Sequence, residues 1–445
     1  MHGIVHLLLF ASWFLPPSNA VKGSPSPPST IDTFQQREPS LSSGTIHSSS
    51  SSSGTDDSPF GSRSSCAFNH FHPRRYAAYH LHSLNQSGVP SISIDGLLDE
   101  PAWTQVPWSE EFQDIRGPTF WSQPWFTTKF KLRYDQQFLY IGVYVEETEV
   151  WAKASHDNDV IFQDNDFEVF VDADGSTHNY KEVELNARNA TWNLWLNRPY
   201  RDGGHENSTR VDPQHGFDML SSGMRSAVYV KGPINDPAER LHYWSAELAL
   251  PLSELARYSQ AKVPPVSTSF WRINFSRVEW PVRVVSDRDT GKQVYEKESG
   301  LSEENWTWSA QFAVDMHRPE WWGYLYFRPR HESPPVTEDS NETVPLDPEW
   351  GVRYVSFQYY YAQHAFYDAT GTYASRLEQL LPFYASREAI LCTNVVDVSA
   401  SEKSFHARIR LRGHAGASEF VARIDENGYI FIENSSSSVS IAAVE

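Results

Sequence analysis

A two-residue alternation of apolar and polar side chains runs through residues 88–328 and is the feature that most restricts the fold. Phe130, Leu132 and Tyr134 alternate with basic residues, and after a polar turn the same period continues from Leu139 to Val145. Because successive side chains of a strand point to opposite faces, this pattern predicts a hairpin with one buried face. Further segments of this kind are 167–171, 183–187, 192–196, 227–230, 244–250, 270–278 and 324–327. Short strands separated by Gly, Pro and Asp turns predict a mainly β domain over 88–328, an antiparallel, jelly-roll-like β-sandwich.

The chain beyond this domain has a different pattern. Residues 329–348 are polar and rich in Pro, which indicates a linker. From Trp350, aromatic and small residues recur at helical spacing up to Gly371, which favours the end of a helix. Leucines near 377–381 indicate a second short helix, and alternating segments that flank the turn 425–428 predict strands. We therefore expect a small α+β module over 349–445, with the aromatic face of its helix in the core rather than in a ligand groove.

The N-terminus has the features of a targeting segment. Residues 4–15 form an apolar run that is too short to span a bilayer, and the small residues 18–20 follow it. This pattern predicts a signal peptide over 1–20, secretion to the extracellular space, and no membrane insertion after cleavage. Residues 21–75 are rich in Ser and Pro, so we expect a disordered segment. Sequons typical of a secreted glycoprotein occur at Asn85, Asn189, Asn207, Asn274, Asn305, Asn341 and Asn434.

Charge and motif content narrow the classes of function. Lys and Arg number 37 against 56 Asp and Glu, a net charge of −19, and no basic cluster interrupts this balance. That excess argues against nucleic acid as a partner. The sequence contains no GxSxG, HExxH, CxxC, P-loop or GxGxxG motif, so it favours a protein without an active site of its own. The two cysteines, Cys66 and Cys392, allow either one disulfide or two free thiols.

The strongest local constellation of polar residues is the segment DNDFEVFVD, which begins at Asp164. On a strand, Asp164, Asp166 and Glu168 point to one face and the apolar residues to the other. Three carboxylates on one face repel one another, so sugar hydroxyls, a calcium ion or water must compensate for them. Asp172 and Asp174 are similar to a fragment of a calcium loop, a pattern that ordinary hairpin turns also produce.

Several segments, taken in order, resemble family 9 carbohydrate-binding modules. The run IDGLLDEPAW from Ile94 to Trp103 is similar to the opening motif of that family. The hairpin around 132–141, the DNDFEVFVD strand, and the segments 273–275, 308–309 and 319–327 follow in the family's order. The resemblance covers about 88–328 and extends to the wider DOMON-like superfamily. It implies a β-sandwich that binds glucose- or xylose-type sugars at chain ends, often beside a xylanase, and that carries structural calcium.

The resemblance also implies roles for individual residues. Glu168 falls on the glutamate that accepts hydrogen bonds from sugar hydroxyls, and Asn186 falls on a further polar position of that site. The arginine that contacts the sugar falls near Glu184. The two tryptophans that enclose the sugar fall on Phe162 and Met316, so the stacking residues of the family are replaced in this chain.

The expected function is that of a secreted protein that binds plant-type polysaccharide or oligosaccharide, such as xylan or cellulose, in support of carbohydrate catabolism. Trp308 and His317 are candidates to complete the sugar stack, and Asp166 to accept further hydroxyl hydrogen bonds. One alternative is a hydrolase that acts on O-glycosyl bonds through Glu168 and Asp166, since their separation on a strand does not exclude it. A second is a DOMON-type haem protein, but adjacent Met316 and His317 point to opposite faces of a strand and cannot ligate one iron together.

Overall fold

A computed structural model describes residues 66–81, 92–334, 344–412 and 420–434. The predicted signal peptide, residues 21–65 of the Ser/Pro-rich segment, and the sequons at 85 and 341 lie outside these ranges. The strands are β1 (Arg75–His80), β2 (Gln113–Asp114), β3 (Thr128–Tyr134), β4 (Phe138–Glu146), β5 (Asp166–Asp172), β6 (Tyr180–Asn186), β7 (Thr191–Leu196), β8 (Glu206–Asn207), β9 (Arg225–Val230), β10 (Tyr243–Pro251), β11 (Phe270–Glu279), β12 (Val282–Ser286), β13 (Gln293–Lys297), β14 (Glu304–Thr307), β15 (Gly323–Phe327), β16 (Thr393–Ala400), β17 (Phe405–Leu411), β18 (Phe420–Asp425) and β19 (Ile430–Asn434). The helices are α1 (Pro101–Thr104), α2 (Leu252–Leu255), α3 (Trp350–Thr370), α4 (Leu377–Leu380) and α5 (Arg387–Cys392).

Two curled sheets form a sandwich, which confirms the predicted fold class. One sheet has the order β8-β7-β6-β5-β11-β15, with β14 and β2 attached to β11, and the other has the order β3-β4-β10-β9. The alternating residues of the predicted strands face one another between the sheets, where Phe130 meets Phe275 at 3.9 Å between ring centroids. The alternation seen in the sequence is therefore the inner face of each sheet.

Strand β1 connects the two sheets and was not predicted. Its first residues pair in parallel with β15, and Tyr79 and His80 pair in parallel with β3. The adjoining residues 66–75, expected to be disordered, belong to the folded structure, with Cys66 and Phe68 buried. A strand that is covered on both faces needs no polar–apolar alternation, so this segment gave no periodic signal.

The IDGLLDEPAW motif is held in place by one buried carboxylate. Glu247 on β10 accepts hydrogen bonds from the backbone N–H groups of Asp95 and Gly96 and from the indole N–H of Trp103, at 2.7–2.9 Å. Gly96 has φ +88°, and a Cβ at this position would lie 2.5 Å from the backbone nitrogen of Tyr229. The motif therefore has a structural role, since it covers the outer face of β4 and β10.

The C-terminal α+β module is confirmed as predicted. Helix α3 packs on the antiparallel sheet β16-β17-β18-β19 and ends at Gly371, which has φ 74° and donates its N–H to the carbonyl of Tyr367. Cys66 and Cys392 form a disulfide with a Cα–Cα distance of 5.6 Å, so the first of the two alternatives for the cysteines is correct. The bond ties the first described residue of the chain to the module. Within the described ranges, no helix is both long and apolar enough to cross a bilayer.

Candidate functional site

The outer face of the sheet around β5 and β6 carries the predicted acidic constellation. Phe167 and Val169 on β5 point into the core between the sheets, so Asp166 and Glu168 point outward. Strand β6 pairs antiparallel with β5 and places Glu184 directly opposite Glu168. The antiparallel register thus gathers carboxylates from two strands on one face.

Asp166, Glu168 and Glu184 form a compact group, here called the acidic triad. One carboxylate oxygen from each lies within 4.8 Å of the others, and all three side chains are buried. Glu182, two residues along β6, lies on the same face and keeps a 5 % exposure equal to that of Glu168. The same face therefore holds four buried carboxyl groups.

The environment of the acidic triad favours the protonated form of each carboxyl group. Burial raises the pKa of Glu168 to about 7, although the hydroxyl of Ser276 opposes the rise. Burial, together with the neighbouring charge of Glu168, raises the pKa of Asp166 and of Glu184 well above their ordinary values. Desolvation and like-charge repulsion act in the same direction here, because both penalise the ionised state.

An apolar and aromatic cluster lies on the same outer face of the sheet as the acidic triad. The members of this apolar cluster are Ile115, Ile161, Phe170, Tyr180, Ala190, Trp192, Leu194, Leu196, Met316 and Trp322. Above it lies a short 3₁₀ turn, Ile161–Gln163, in which the Phe162 N–H donates to Glu184 at 2.9 Å and the Phe162 carbonyl accepts from the Trp280 indole. Phe162 is 37 % exposed and lies nearly parallel to Trp192, with 6.3 Å between ring centroids. An exposed aromatic face thus lies beside buried hydrogen-bond acceptors.

Asn186 and Asp164 are close to this site, but their hydrogen bonds are used within the protein. The Asn186 amide donates to the Ala154 carbonyl and to Asp164, and its carbonyl oxygen accepts the N–H groups of Arg188 and Ala190. Asp164 also accepts two backbone N–H groups from the loop before the 3₁₀ turn. Both residues therefore shape the loop that covers the acidic triad.

The proposed stacking residues have different positions in the fold. Trp308 is 0 % exposed, lies in the core between the sheets and donates its indole N–H to Glu110, so a stacking role does not fit its position. Met316 packs in the apolar cluster beneath the site. His317 lies at the rim, 2.9 Å from the Tyr180 hydroxyl through Nδ1, and burial lowers its pKa to about 4. Of these three residues, His317 alone is not fully buried.

Asp172 and Asp174, the predicted calcium residues, form a turn that uses their own oxygens. Asp172 accepts the backbone N–H groups of Gly175 and Thr177, and Asp174 accepts those of Ser176 and Gln260. All four carboxylate oxygens therefore have a backbone donor. This arrangement is that of an Asp-stabilised turn.

The sequence did not single out Glu182 or Trp192 as members of the site. The run YKEVELN on β6 places Glu182, Glu184 and Asn186 on one face by simple alternation, so the signal for Glu182 was present. Trp192 on β7 lies directly opposite Glu184 on β6, and its indole N–H donates to Glu206. Its contribution depends on strand pairing, which alternation alone does not determine.

Comparison with known proteins finds a family-model match over the segment that holds this site. Residues 94–209 match the family model described as carbohydrate family 9 binding domain-like. The resemblance inferred from the sequence is thus confirmed for a segment that includes β5, β6 and β7. Two solved structures of a family 9 module from Caldicellulosiruptor kristjanssonii, one with cellotriose and one with glucose, are each 15 % identical in sequence to this chain. The alignments cover 62 % and 61 % of this chain and 100 % of the module, and the TM-score is 0.34 for each. No curated protein matches the chain.

Proposed function

We propose that the family 9-like domain of this chain binds carbohydrate at the outer face of β5 and β6. The observation that carries the proposal is the position of the partly exposed Phe162, whose N–H donates to Glu184 of the acidic triad, within the segment that matches the family model. Carboxylates accept charge-assisted hydrogen bonds from hydroxyl groups, and an aromatic face packs against the apolar side of a pyranose ring. The two features together are what a sugar site requires.

The expected ligand is a plant-type glucan or xylan, presented to a secreted protein. Family 9 modules of known structure have been solved with cellotriose and with glucose, which supports a glucose-type ligand. The disulfide between Cys66 and Cys392 supports secretion, because such bonds persist in oxidising compartments. Glu168 and Glu182 are the proposed acceptors for sugar hydroxyls, and the partly exposed Phe162 is the proposed platform.

The test is a binding titration of the full chain with xylo- and cello-oligosaccharides by calorimetry. Phe162→Ala removes an exposed ring and should weaken binding by about tenfold, the equivalent of about 1.4 kcal/mol of lost stacking. Glu168→Gln keeps the shape but loses the charge, and should also weaken binding. The matched control is Phe431→Ala, which removes a half-exposed ring from the C-terminal module and should leave binding unchanged.

Two results would contradict the proposal. If the folded wild-type chain binds none of these sugars, the exposed face serves another ligand. If Phe162→Ala binds as tightly as the wild type, the sugar lies elsewhere on the domain. Release of reducing sugar that disappears in Glu168→Gln would instead support the hydrolase alternative.

A further inference from the structure

When its carboxyl groups are ionised, the acidic triad carries negative charge that no ion pair compensates within the described residues. Asp166, Glu168 and Glu184 are 0 %, 5 % and 2 % exposed. Within the described ranges, none of them forms an ion pair with Lys, Arg or His; Arg277 on the neighbouring β11 pairs with Glu147 and Glu279 instead. Like charges directly opposite on paired strands destabilise a sheet, and buried charges without a counter-charge are costly. A ligand that supplies positive charge would stabilise this face.

The hydrogen bonds of Asp166 point to the same need. Its Oδ1 accepts the N–H of Val278 at 3.1 Å, whereas Oδ2 is buried and accepts no hydrogen bond from the described residues. Buried acceptors nearly always have a partner, so an orphaned carboxylate oxygen indicates a missing ligand. A second acidic group, Asp95, Glu100 and Glu247, also has one buried unpartnered oxygen, Glu100 Oε2, but there Glu247 accepts three N–H groups from the protein itself.

The ligand atoms and their spacing select a hard divalent cation. Carboxylate oxygens are the ligands that Ca²⁺ and Mg²⁺ prefer. With Ca²⁺–O distances of about 2.3–2.6 Å, two oxygens on opposite sides of a calcium ion lie roughly 5 Å apart, whereas the same span around Mg²⁺ is about 4 Å. The oxygens of the acidic triad lie within 4.8 Å of one another, a spacing that the coordination sphere of Ca²⁺ accommodates.

We propose that Asp166, Glu168 and Glu184 form a calcium-binding site on the outer face of β5 and β6. A bound ion neutralises the repulsion between Glu168 and Glu184 and gives Asp166 Oδ2 its partner. The site is distinct from the turn at Asp172 and Asp174, where every carboxylate oxygen accepts a backbone N–H. It shares Glu168 with the proposed sugar site but rests on its own geometry.

The experiment uses the full chain, stripped of metal with EDTA and then freed of the chelator. Titration with CaCl₂ by calorimetry should show a single tight Ca²⁺ per chain, bound more strongly than Mg²⁺. Thermal unfolding should shift to a higher Tm in CaCl₂ than in EDTA, since a ligand that binds only the folded state stabilises it. No sugar is present, so this result does not depend on whether the sugar proposal is correct.

Two charge-removing variants locate the ion. Glu184→Gln and Asp166→Asn keep the side-chain shape, so each should bind Ca²⁺ more than about tenfold more weakly, as affinity follows ligand charge. In EDTA, both should unfold at the same Tm as the wild type or higher, because one repelling charge has gone. Glu100→Gln, from the second acidic group, is the control and should bind Ca²⁺ as the wild type does.

Three outcomes would overturn the proposal. Absence of both binding heat and a Tm shift in the wild type would mean that protons, not a cation, relieve the repulsion. Equal loss in Glu184→Gln and Glu100→Gln, or no loss in either, would place any bound ion elsewhere. A lower Tm of Glu184→Gln in EDTA, with Ca²⁺ affinity retained, would assign these carboxylates a structural role.

Discussion

Glu320 joins the sandwich to the C-terminal helix, and its replacement by Gln gives the sharpest test of how the two parts are held together. The carboxylate accepts two hydrogen bonds from Arg201, at 2.8 and 3.0 Å, and one from the Tyr361 hydroxyl of α3, and it lies 3.4 Å from Arg318. Although burial acts against it, this cationic surrounding lowers the pKa of Glu320 from 4.5 to about 2. The difference corresponds to about 3 kcal/mol of folding free energy near neutral pH.

The sign of the pH dependence follows from the direction of this shift. Because the pKa of Glu320 is lower in the folded state, the stabilisation is complete above the unfolded value of 4.5 and is lost as the pH falls towards about 2. We expect Glu320→Gln to reduce the free energy of unfolding by roughly 3 kcal/mol at about pH 7, and by roughly 1.4 kcal/mol at about pH 3.

Urea denaturation at the two pH values, followed by tryptophan fluorescence, measures both differences. The control is Glu296→Gln, which breaks an exposed ion pair with Arg283 and should cost no more than about 1 kcal/mol. If Glu320→Gln loses the same free energy at both pH values, the loss comes from packing, and the electrostatic account of this contact is refuted.

Two further outcomes follow from the fold. Gly96→Ala should destabilise the protein by more than the cost of a left-handed backbone, which is about 1–2 kcal/mol, because the new Cβ would lie 2.5 Å from the backbone of β9. The control is Gly223→Ala, where φ is +99° and the space is open, so that only the conformational cost applies. Equal losses of Tm in the two variants would refute the steric clash. When the protein is expressed through a secretory pathway, the exposed Asn189 should carry glycan. Asn274 should not, because it is 0 % exposed and exchanges two hydrogen bonds with Ser309. Peptide mapping by mass spectrometry checks both sites.

The sequence by itself determined the elements whose signals are local. The hairpin of β3 and β4 follows from alternation, because one face of each strand must be buried. The end of α3 at Gly371 follows from the left-handed conformation that glycine adopts without steric cost. The presence of Asp166 and Glu168 on one face of β5 follows from the same period of two.

Tertiary structure decided what lies opposite and around these residues. That Glu184 faces Glu168, that Trp308 is enclosed between the sheets, and that Cys66 reaches Cys392 all depend on pairing between distant segments. Strand register and chain crossing bring such residues together, and neither leaves a periodic pattern in the sequence. The lack of a hydrogen-bond partner at Asp166 Oδ2 likewise emerges only when every neighbour is in place. Local sequence therefore fixes which side chains share a face, whereas the assembled sheets decide which charges must be compensated.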